Sequence, residues 1–354
     1  MKRNYIKQGF WVVLLTLGMA ACGKNAVDEV VPDPEEPEVP NPPTPDPVNF
    51  YYVGYKYGSS FQEKDRNAIL RINNSLVELS PNVASEALAV SVLNKVPHIT
   101  GYQQVSANGR RAAYWKNKAL TLLSVAGAQN SGTTILAEGA NVYVGGMMTD
   151  PMGLRVALWT NGKYENKGCC LGGSRLRGIA LREGKPVMTG KFHVNAAMWV
   201  DGTTFMLADA NSDSHYIKTI NKDIYVIGYR KTSDQKTDVA AVWKNDVEVF
   251  TLPLGKIVSS VLGTMVGNDY YFVVNFYDGK KGRATVYKNK TKLYDLNVNA
   301  NLEAKAIQVV NGHVYILGNY FNGTKSQAIQ WTDGKAKVLY TEAQKIYLND
   351  MVVK

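Results

Sequence analysis

The chain has 354 residues, of which 45% are hydrophobic, and its formal net charge is +10. Its 21 tyrosines and 31 glycines favour strands and turns, and no stretch keeps a 3.6-residue period, which argues against a helical protein. Residues 1–49 hold 4 basic and 7 acidic side chains, which leaves 36 basic and 23 acidic, or +13, in the remainder. Such a basic body favours anionic partners, although the same charge also serves solubility.

The N-terminal segment predicts export. Lys2, Arg3 and Lys7 precede an apolar run from residue 9 to residue 21. At 13 residues this run is too short for a hydrocarbon core of about 30 Å, which needs about 20 helical residues. We therefore interpret residues 1–21 as a signal peptide.

The end of that segment, Met19-Ala20-Ala21-Cys22-Gly23, resembles the lipobox of bacterial lipoproteins, with Met19 where Leu is usual. The resemblance implies that Cys22 is lipidated and becomes the first residue of the mature chain. Residues 22–48 are rich in Pro and acid, a composition typical of an extended stalk. Acids close behind the cysteine, here from Asp28 onward, resemble the surface-export signal of Bacteroidota lipoproteins. That resemblance implies the outer membrane and its outer face, with the periplasmic face as the alternative.

From residue 50 a pattern returns seven times. Its first part is an apolar strand ending in Gly, and the reference positions are Gly54, Gly101, Gly145, Gly190, Gly228, Asn275 and Gly318. The six intervals between Gly54 and Gly318 average 44 residues, a period that suits a four-stranded propeller blade.

The second part of the repeat is Ala-x-x-Trp-x-Asn/Asp, with the aromatic at Trp115, Trp159, Trp199, Trp243 and Trp331. Arg71 and Tyr287 replace it in two repeats. Because the repeat imposes the ring everywhere, we expect each Trp to pack between blades; a ring of ligand-stacking platforms is the alternative.

The sequence thus predicts an all-β fold: a seven-bladed β-propeller of four-stranded blades over residues 50–353. We name the strands of a blade a to d, with b ending in Gly and c carrying Trp. The body starts on strand b and ends on strand a, at residues 346–353, so the last strand should complete the first blade. A β-solenoid is the alternative, but no distinct capping unit is visible.

Short a–b and c–d turns should close one face of the ring, which leaves the b–c and d–a loops free for binding on the other. Aromatic and basic residues follow the Gly strands there, a combination that suits sugars, especially acidic glycans, or other anionic polymers. The candidate ligand-binding residues are Tyr57, Tyr102, Arg111, Arg155, Phe192, His193, Tyr229, Arg230, Tyr277 and Tyr320. The alternative is that these aromatics fill the ring interior while the cations are solvated.

No catalytic residue is selected. The zinc, hydrolase and phosphate-loop signatures are absent, no cofactor or metal site is indicated, and His193 alone among the histidines lies clearly in a b–c loop. Carboxylates occur on the open face, but their spacing selects no pair. The hypotheses are a non-catalytic glycan-binding or anion-binding module, a polysaccharide-acting enzyme on the same face, and an interaction subunit of an outer-membrane complex. Nucleic acid fits less well, because no binding motif accompanies the charge.

Cys169-Cys170 is an unusual local feature, which we place in a d–a loop. In an oxidising compartment adjacent cysteines can form a vicinal disulfide; two unpaired thiols and an intermolecular bridge are the alternatives. Two cysteines alone make a poor zinc site.

The repeat itself, with its Tyr-Val-x-Gly-Tyr and Ala-x-x-Trp-x-Asn-Gly themes, resembles propeller-like repeat lipoproteins of Bacteroidota over residues 50–353. The resemblance implies location and fold, and it supplies no catalytic residue.

The lipobox resemblance makes a direct prediction. Cys22→Ser should abolish fatty-acid incorporation and move the protein from the membrane to the soluble fraction, because the acylated thiol is lost. Metabolic labelling with a fatty acid and cell fractionation measure both effects. Cys169→Ser/Cys170→Ser is the matched control and should change neither; incorporation of label into the Cys22→Ser chain would contradict the assignment.

Overall fold

Two-residue turns divide the body of the chain into antiparallel strands. Many of these turns use Asn, Asp or Gly at positive φ, as in Asn161 at 49° and Gly162 at 84°. The computed structural model describes residues 48–354 apart from 59–61, 107–108, 124, 126–127, 152, 171–173, 210, 297–300, 323–324 and 341–344. The described residues form 28 strands in seven four-stranded sheets, which confirms the predicted seven-bladed β-propeller.

Each blade is one sheet whose strands lie side by side in the order a, b, c, d. Blade 1 consists of β28 (Ile346–Val353), β1 (Phe50–Tyr57), β2 (Arg66–Ile72) and β3 (Ser75–Glu78), with a 3₁₀ turn at Glu63–Asp65. Blade 2 consists of β4 (Ser85–Leu93), β5 (Val96–Ser106), β6 (Gly109–Lys116) and β7 (Ala119–Leu123). Blade 3 consists of β8 (Gln129–Glu138), β9 (Asn141–Asp150), β10 (Gly153–Thr160) and β11 (Lys163–Cys170). Blade 4 consists of β12 (Arg175–Arg182), β13 (Lys185–Phe192), β14 (Asn195–Val200) and β15 (Thr203–Met206).

The remaining three blades have the same strand order. Blade 5 consists of β16 (Asp213–Ile220), β17 (Asp223–Lys231), β18 (Asp238–Lys244) and β19 (Val247–Pro253). Blade 6 consists of β20 (Val258–Val266), β21 (Asp269–Tyr277), β22 (Gly282–Lys288) and β23 (Thr291–Leu296). Blade 7 consists of β24 (Asn301–Val310), β25 (His313–Asn322), β26 (Lys325–Thr332) and β27 (Lys335–Tyr340).

The last strand closes the ring as predicted. β28 is the inner strand of blade 1 and pairs antiparallel with β1, from Phe50 opposite Val353 to Lys56 opposite Ile346. Two backbone hydrogen bonds between Asn49 and Lys354 extend the pairing past the strand ends. The two ends of the propeller chain therefore meet in one sheet, so β1 has a strand a partner as the b strands of the other blades do.

Strands a and b approach unusually closely in five blades, at the Gly of strand b, and less closely in blade 7, where a Cβ on Gly318 would lie 3.0 Å from the carbonyl oxygen of Glu303. A Cβ on Gly101 would lie 1.8 Å from the carbonyl oxygen of Glu86, and one on Gly228 would lie 2.1 Å from that of Asp213. Strand a carries one extra residue, a β-bulge, immediately after the residue that faces this Gly. The recurring Gly is therefore required by backbone contact, because any side chain would collide with the neighbouring strand.

The structure corrects the repeat alignment in two blades. In blade 3 the bulge faces Gly146, one residue after the predicted Gly145. In blade 6 the residue equivalent to the Gly is Val274. Asn275 pairs with the repeat alanine Ala284, and in blade 5 the residue that pairs with the repeat alanine is Tyr229, which follows the Gly. The blade 6 bulge has moved along strand a to Ser259, opposite Asn275 and Phe276, so the backbone at Val274 is free to carry a side chain.

The five repeat tryptophans are fully buried, each at 0–1% exposure, which confirms packing and excludes ligand stacking at these rings. Arg71, which replaces Trp in blade 1, is also buried. Its guanidinium lies 4.5 Å from the Tyr340 ring centroid and donates to the carbonyl oxygen of Leu339, which ties blade 1 to blade 7.

The two faces of the ring differ as predicted. Every a–b and c–d connection is a two-residue turn, so these turns close what we call the lower face. The upper face carries the b–c and d–a connections; the first of these alone spans residues 58–65. Within the described residues, no helix has the length and apolar character needed to cross a membrane.

Ring closure predicts a cooperative dependence on the last strand. Removing residues 346–354 should abolish the thermal unfolding transition of the whole body, since Ile346, Leu348 and Met351 are each at most 1% exposed and β1 would lose its inner partner. Calorimetry and near-ultraviolet circular dichroism measure the loss. Removing only the exposed Lys354 is the control, and a native transition in the shorter chain would contradict closure.

The close approach of strands a and b predicts a position-specific effect of one methyl group. Gly228→Ala should lower the free energy of unfolding by at least about 2 kcal/mol, because the added carbon meets backbone that cannot move aside. Gly58→Ala, whose Cβ would find its nearest atom at 3.3 Å, should cost less than about 1 kcal/mol. Urea unfolding gives both values, and equal effects would show that the contact does not constrain the sheet.

Candidate functional site

The inner strands of all seven blades surround a central channel. Its part nearer the upper face, the upper cavity, has a volume of about 650 Å³, and the lower cavity has a volume of about 770 Å³. The two share lining residues, including Val90 and His215, so they are continuous. All seven extra residues of the strand a bulges line the upper cavity: Leu88, Thr133, Arg177, His215, Ser259, Lys305 and Asn349.

Aromatic side chains of blades 7 and 1 gather beside the upper cavity, and we call this group the aromatic wall. Tyr55 and Tyr347 stack with centroids 5.3 Å apart and an interplanar angle of 15°. Tyr57 meets Tyr55 edge-on at 5.1 Å, and Phe321 lies 5.7 Å from Tyr347. Phe321 is 36% exposed, and Tyr57 and Tyr347 are half-buried. The wall therefore presents ring surface to solvent at the upper face.

Two cations lie over these rings. The Arg66 guanidinium is 4.5 Å from the Tyr55 centroid and 5.5 Å from that of Tyr57, and the Lys305 ammonium is 5.3 Å from that of Tyr347. Lys305 is paired with Glu303, and the Tyr347 hydroxyl donates to the same carboxylate. Burial, followed by the nearby Glu303 charge, raises the pKa of Tyr347, so this hydroxyl stays protonated and remains a donor.

A carboxylate pair adjoins the aromatic wall on blades 1 and 2. The Tyr102 hydroxyl lies 3.0 Å from an oxygen of Glu63 and 3.0 Å from one of Glu86, and its single proton can serve one of them at a time. Each carboxylate also has an arginine: Arg110 lies 3.0 Å from Glu63, and Arg66 lies 2.8 Å from Glu86. These contacts hold both carboxylates in fixed positions beside the upper cavity.

A different surface forms on blades 4 and 5. Arg175 and Arg177 of β12 line the upper cavity, and the Arg177 Nη2 lies 3.7 Å from the Asp213 carboxylate. His215 of β16 lines the cavity beside them and stacks on Tyr229 at 6.4 Å. Burial lowers the pKa of His215 to about 4, so the imidazole is neutral at pH 7.

Asp350 lines the channel on blade 1. Its carboxylate accepts hydrogen bonds from the backbone N–H groups of Val90 at 3.0 Å and Met351 at 2.8 Å. Burial nevertheless raises its pKa to about 6. The hydrogen bond to Val90 joins blade 1 to blade 2, which gives this carboxylate a structural role at the closure.

The candidate residues from the sequence lie at the upper face, but only some of them converge. Tyr57 and Tyr102 belong to the group around Arg66 and Glu86, and Tyr229 lies behind His215. The others are distributed around the ring. Arg155 pairs with Asp150, Arg230 pairs with Glu248, and Tyr320 is hydrogen-bonded to Gln327. Phe192 packs against the core, and the remaining three are exposed: Arg111, His193 and Tyr277. The ten residues therefore do not form one site.

Residues that sequence reasoning missed lie on strand a. They include Tyr347, Glu86, Arg175 and His215, all of which line or adjoin the cavity. The repeat pattern carried no signal for them, because it is defined by the Gly of strand b and the Trp of strand c and prescribes no residue type at these positions of strand a.

The cysteines were expected to serve as a lipid anchor and as a loop disulfide. The structure places the backbone of Cys169 and Cys170 in strand β11, opposite Arg155 and Leu154, and not in a d–a loop as predicted. Their side chains lie outside the described residues, so the vicinal disulfide stays a prediction. Cys22, the signal peptide and the stalk up to residue 47 also lie outside the described part of the chain.

Among the described side chains, no group of three or more His, Cys, Asp or Glu is arranged to hold a metal ion.

No protein-family model and no curated protein matches the sequence. Solved structures do match, including a puromycin-hydrolyzing peptidase from Mycobacterium tuberculosis, at a TM-score of 0.50 and 11% identity over 82% of this chain and 53% of that one. TolB from Acinetobacter baumannii matches at a TM-score of 0.46 and 7% identity, over 86% and 66% of the two chains.

The β-propeller domain of the Trilobed protease from Pyrococcus furiosus matches at a TM-score of 0.48 and 11% identity, over 83% of this chain and 95% of that one. The chain spans about half to two-thirds of the length of the first two structures it matches. At these identities the likeness shows the propeller fold alone.

Proposed function

We propose that this protein is a lipid-anchored cell-envelope protein that binds a carbohydrate chain at the upper cavity without transforming it. The observation that supports the proposal best is the aromatic wall beside the channel mouth. Tyr57, Tyr347 and Phe321 offer partly exposed ring faces, and Tyr55 holds Tyr347 in place from behind. Rigid rings of this kind provide contact area for the apolar face of a sugar at low entropic cost.

Polar groups for sugar hydroxyls lie within the same region. Glu63, Glu86 and Glu303 are acceptors contacted by tyrosine hydroxyls, and Asn349, the bulge residue of blade 1, donates to Glu86 at 2.9 Å. A pocket that combines apolar surface with a few oriented polar groups is the usual form of a ligand site. A volume of about 650 Å³ is ample for two or three sugar units.

The direction of the chain supports the same function. Asn49 precedes strand b of blade 1 and pairs with Lys354 at the lower face, so the polypeptide enters the propeller on the side opposite the upper cavity. The upper cavity therefore opens on the face away from the point at which the chain enters the propeller.

A second candidate is hydrolysis of the bound glycan. The oxygens of Glu63 and Glu86 that contact Tyr102 can be no more than about 6 Å apart, which overlaps the range of glycosidase carboxylate pairs. Both carboxylates, however, are held by arginines, whereas a glycosidase needs one carboxyl group free to protonate the leaving oxygen. The geometry therefore favours binding without turnover.

The test uses the non-acylated Cys22→Ser full chain, screened on a glycan array and then by calorimetry. Phe321→Ala and Tyr57→Ala should each weaken binding by about 1–2 kcal/mol, or raise Kd about 5–30-fold, through lost ring contact. Tyr277→Ala is the matched control, since Tyr277 is an aromatic of the same face that is 64% exposed and belongs to blade 6. Release of reducing ends from the bound polysaccharide would favour the hydrolase, and absence of binding to any glycan would reject both candidates.

A further inference from the structure

The wall of the upper cavity on blade 4 carries a pair of arginines. Arg175 and Arg177 stand two residues apart on β12, and the bulge of blade 4 makes Arg177 its extra residue. Within the described residues no carboxylate lies at ion-pair distance from Arg175. Arg177 is paired with Asp213 at 3.7 Å, which is long for a charge-assisted hydrogen bond.

The other cations around the cavity have close partners. Arg66 lies 2.8 Å from Glu86, Arg110 lies 3.0 Å from Glu63, and Lys305 lies 2.5 Å from Glu303. Among the described cations that line the upper cavity, Arg175 and Arg177 are therefore the ones that lack a close carboxylate partner. Two guanidinium groups on one wall repel each other unless an anion lies between them.

His215, on the adjoining strand a, provides an independent observation. Its side chain is only 7% exposed, yet its Nδ1 has no hydrogen-bond partner among the described residues. Its Nε2 lies 3.8 Å from Asp213, beyond hydrogen-bond distance. Buried polar atoms are normally paired, and this nitrogen, itself closed to solvent, is an exception beside the arginine pair.

The arginine pair lies across the channel from the aromatic wall. In a ring of seven, blades 4 and 5 stand opposite blade 1, which supplies Tyr55, Tyr57 and Tyr347. These rings lie beside the cavity and not in its lining, so a ligand that extends from the cavity across the channel mouth can place a sugar ring on the aromatic wall and a substituent at the arginine pair.

We propose that the upper cavity recognises an acidic carbohydrate, with a uronate carboxylate held by Arg175 and Arg177 next to His215. Guanidinium groups suit this role because their planar N–H forks match the two oxygens of a carboxylate. The inference rests on the proposed carbohydrate-binding function and adds the class of sugar and the residues that select it. A sulfated sugar would use the same chemistry, and the experiment separates the two.

The probes are polygalacturonate, alginate and hyaluronate oligosaccharides, each paired with its carboxyl-reduced form, together with a sulfated glycan. Calorimetry with the Cys22→Ser full chain should show at least one uronate bound at least about 10-fold more tightly than its reduced form, since hydrogen bonds to charged groups are the strong ones. Added salt should weaken binding of the uronate and leave that of the reduced sugar unchanged.

Arg175→Gln and Arg175→Gln/Arg177→Gln should remove this preference, with a loss of about 10–100-fold for the uronate and little change for the reduced form. Arg182→Gln, at the other end of β12, is the matched control and should behave as the parent chain. The single variant tests the inference even if the double variant, which removes the arginine beside Asp213, fails to fold.

Each possible result supports or overturns a specific part of the proposal. Equal affinity for a uronate and its reduced form, or an unchanged preference in Arg175→Gln, overturns the acidic-sugar assignment and leaves carbohydrate binding intact. A preference for the sulfated glycan alone replaces uronate by sulfate at the same arginines. Failure of every sugar, acidic or reduced, rejects the proposed function itself.

Discussion

The contact between the backbones of strands a and b is the constraint on which the rest of the molecule depends. At the recurring Gly the two strands approach so closely that a Cβ would overlap a carbonyl oxygen, at 2.0 Å in blade 1 and 1.8 Å in blade 2. The same point carries the bulge in strand a. A bulge increases local twist and re-aims side chains, and here its seven extra residues all line the channel. The Gly that preserves the sheet thus also positions the residues that can meet a ligand.

Blade 6 shows that the two features are coupled. There the bulge sits at Ser259, opposite Asn275 and Phe276, and the position of the Gly is occupied by Val274. Asn275 instead forms two hydrogen bonds with the backbone of Ala304 in blade 7, at 2.9 and 3.1 Å, and Asn319 makes the equivalent pair with Leu348 in blade 1. In blade 6 the shifted bulge allows Val274 to replace the Gly. The Asn that follows ties neighbouring blades together with or without that Gly, since Asn319 follows Gly318.

The fold could be predicted from the sequence because the residues that define it recur at equivalent positions of the repeat. Gly54, Trp115 and their equivalents recur at a fixed period, and the body begins and ends on adjacent strands of that period, so the number of blades and the closing strand could both be predicted. The two errors in alignment, at Gly145 and Asn275, have different causes: in blade 3 two consecutive glycines could each be the repeat Gly, and in blade 6 the bulge has moved along strand a. Cys169 and Cys170 were assigned to a loop although β11 extends to Cys170, since nothing in their sequence marks the strand end.

For the candidate site, the sequence predicted a face of the ring but not the residues that come together on it. Aromatic and basic residues after the Gly strands do lie at the upper face, yet most of them, such as Arg155 and Arg230, are engaged by partners of their own blade. The cavity is lined by strand a, where the repeat imposes little: its seven extra residues comprise one apolar side chain, two hydroxyls, an amide, two cations and an imidazole. Residues that the repeat places in most blades, such as the buried tryptophan, serve the packing that the blades have in common. Recognition of an asymmetric ligand requires blades that differ, and they differ most at these bulges. Such a difference exists between blades 7 and 1, which carry the aromatic wall, and blade 4, which carries the arginine pair on the opposite side of the channel. We therefore expect a binding site that spans the channel and uses residues of several blades.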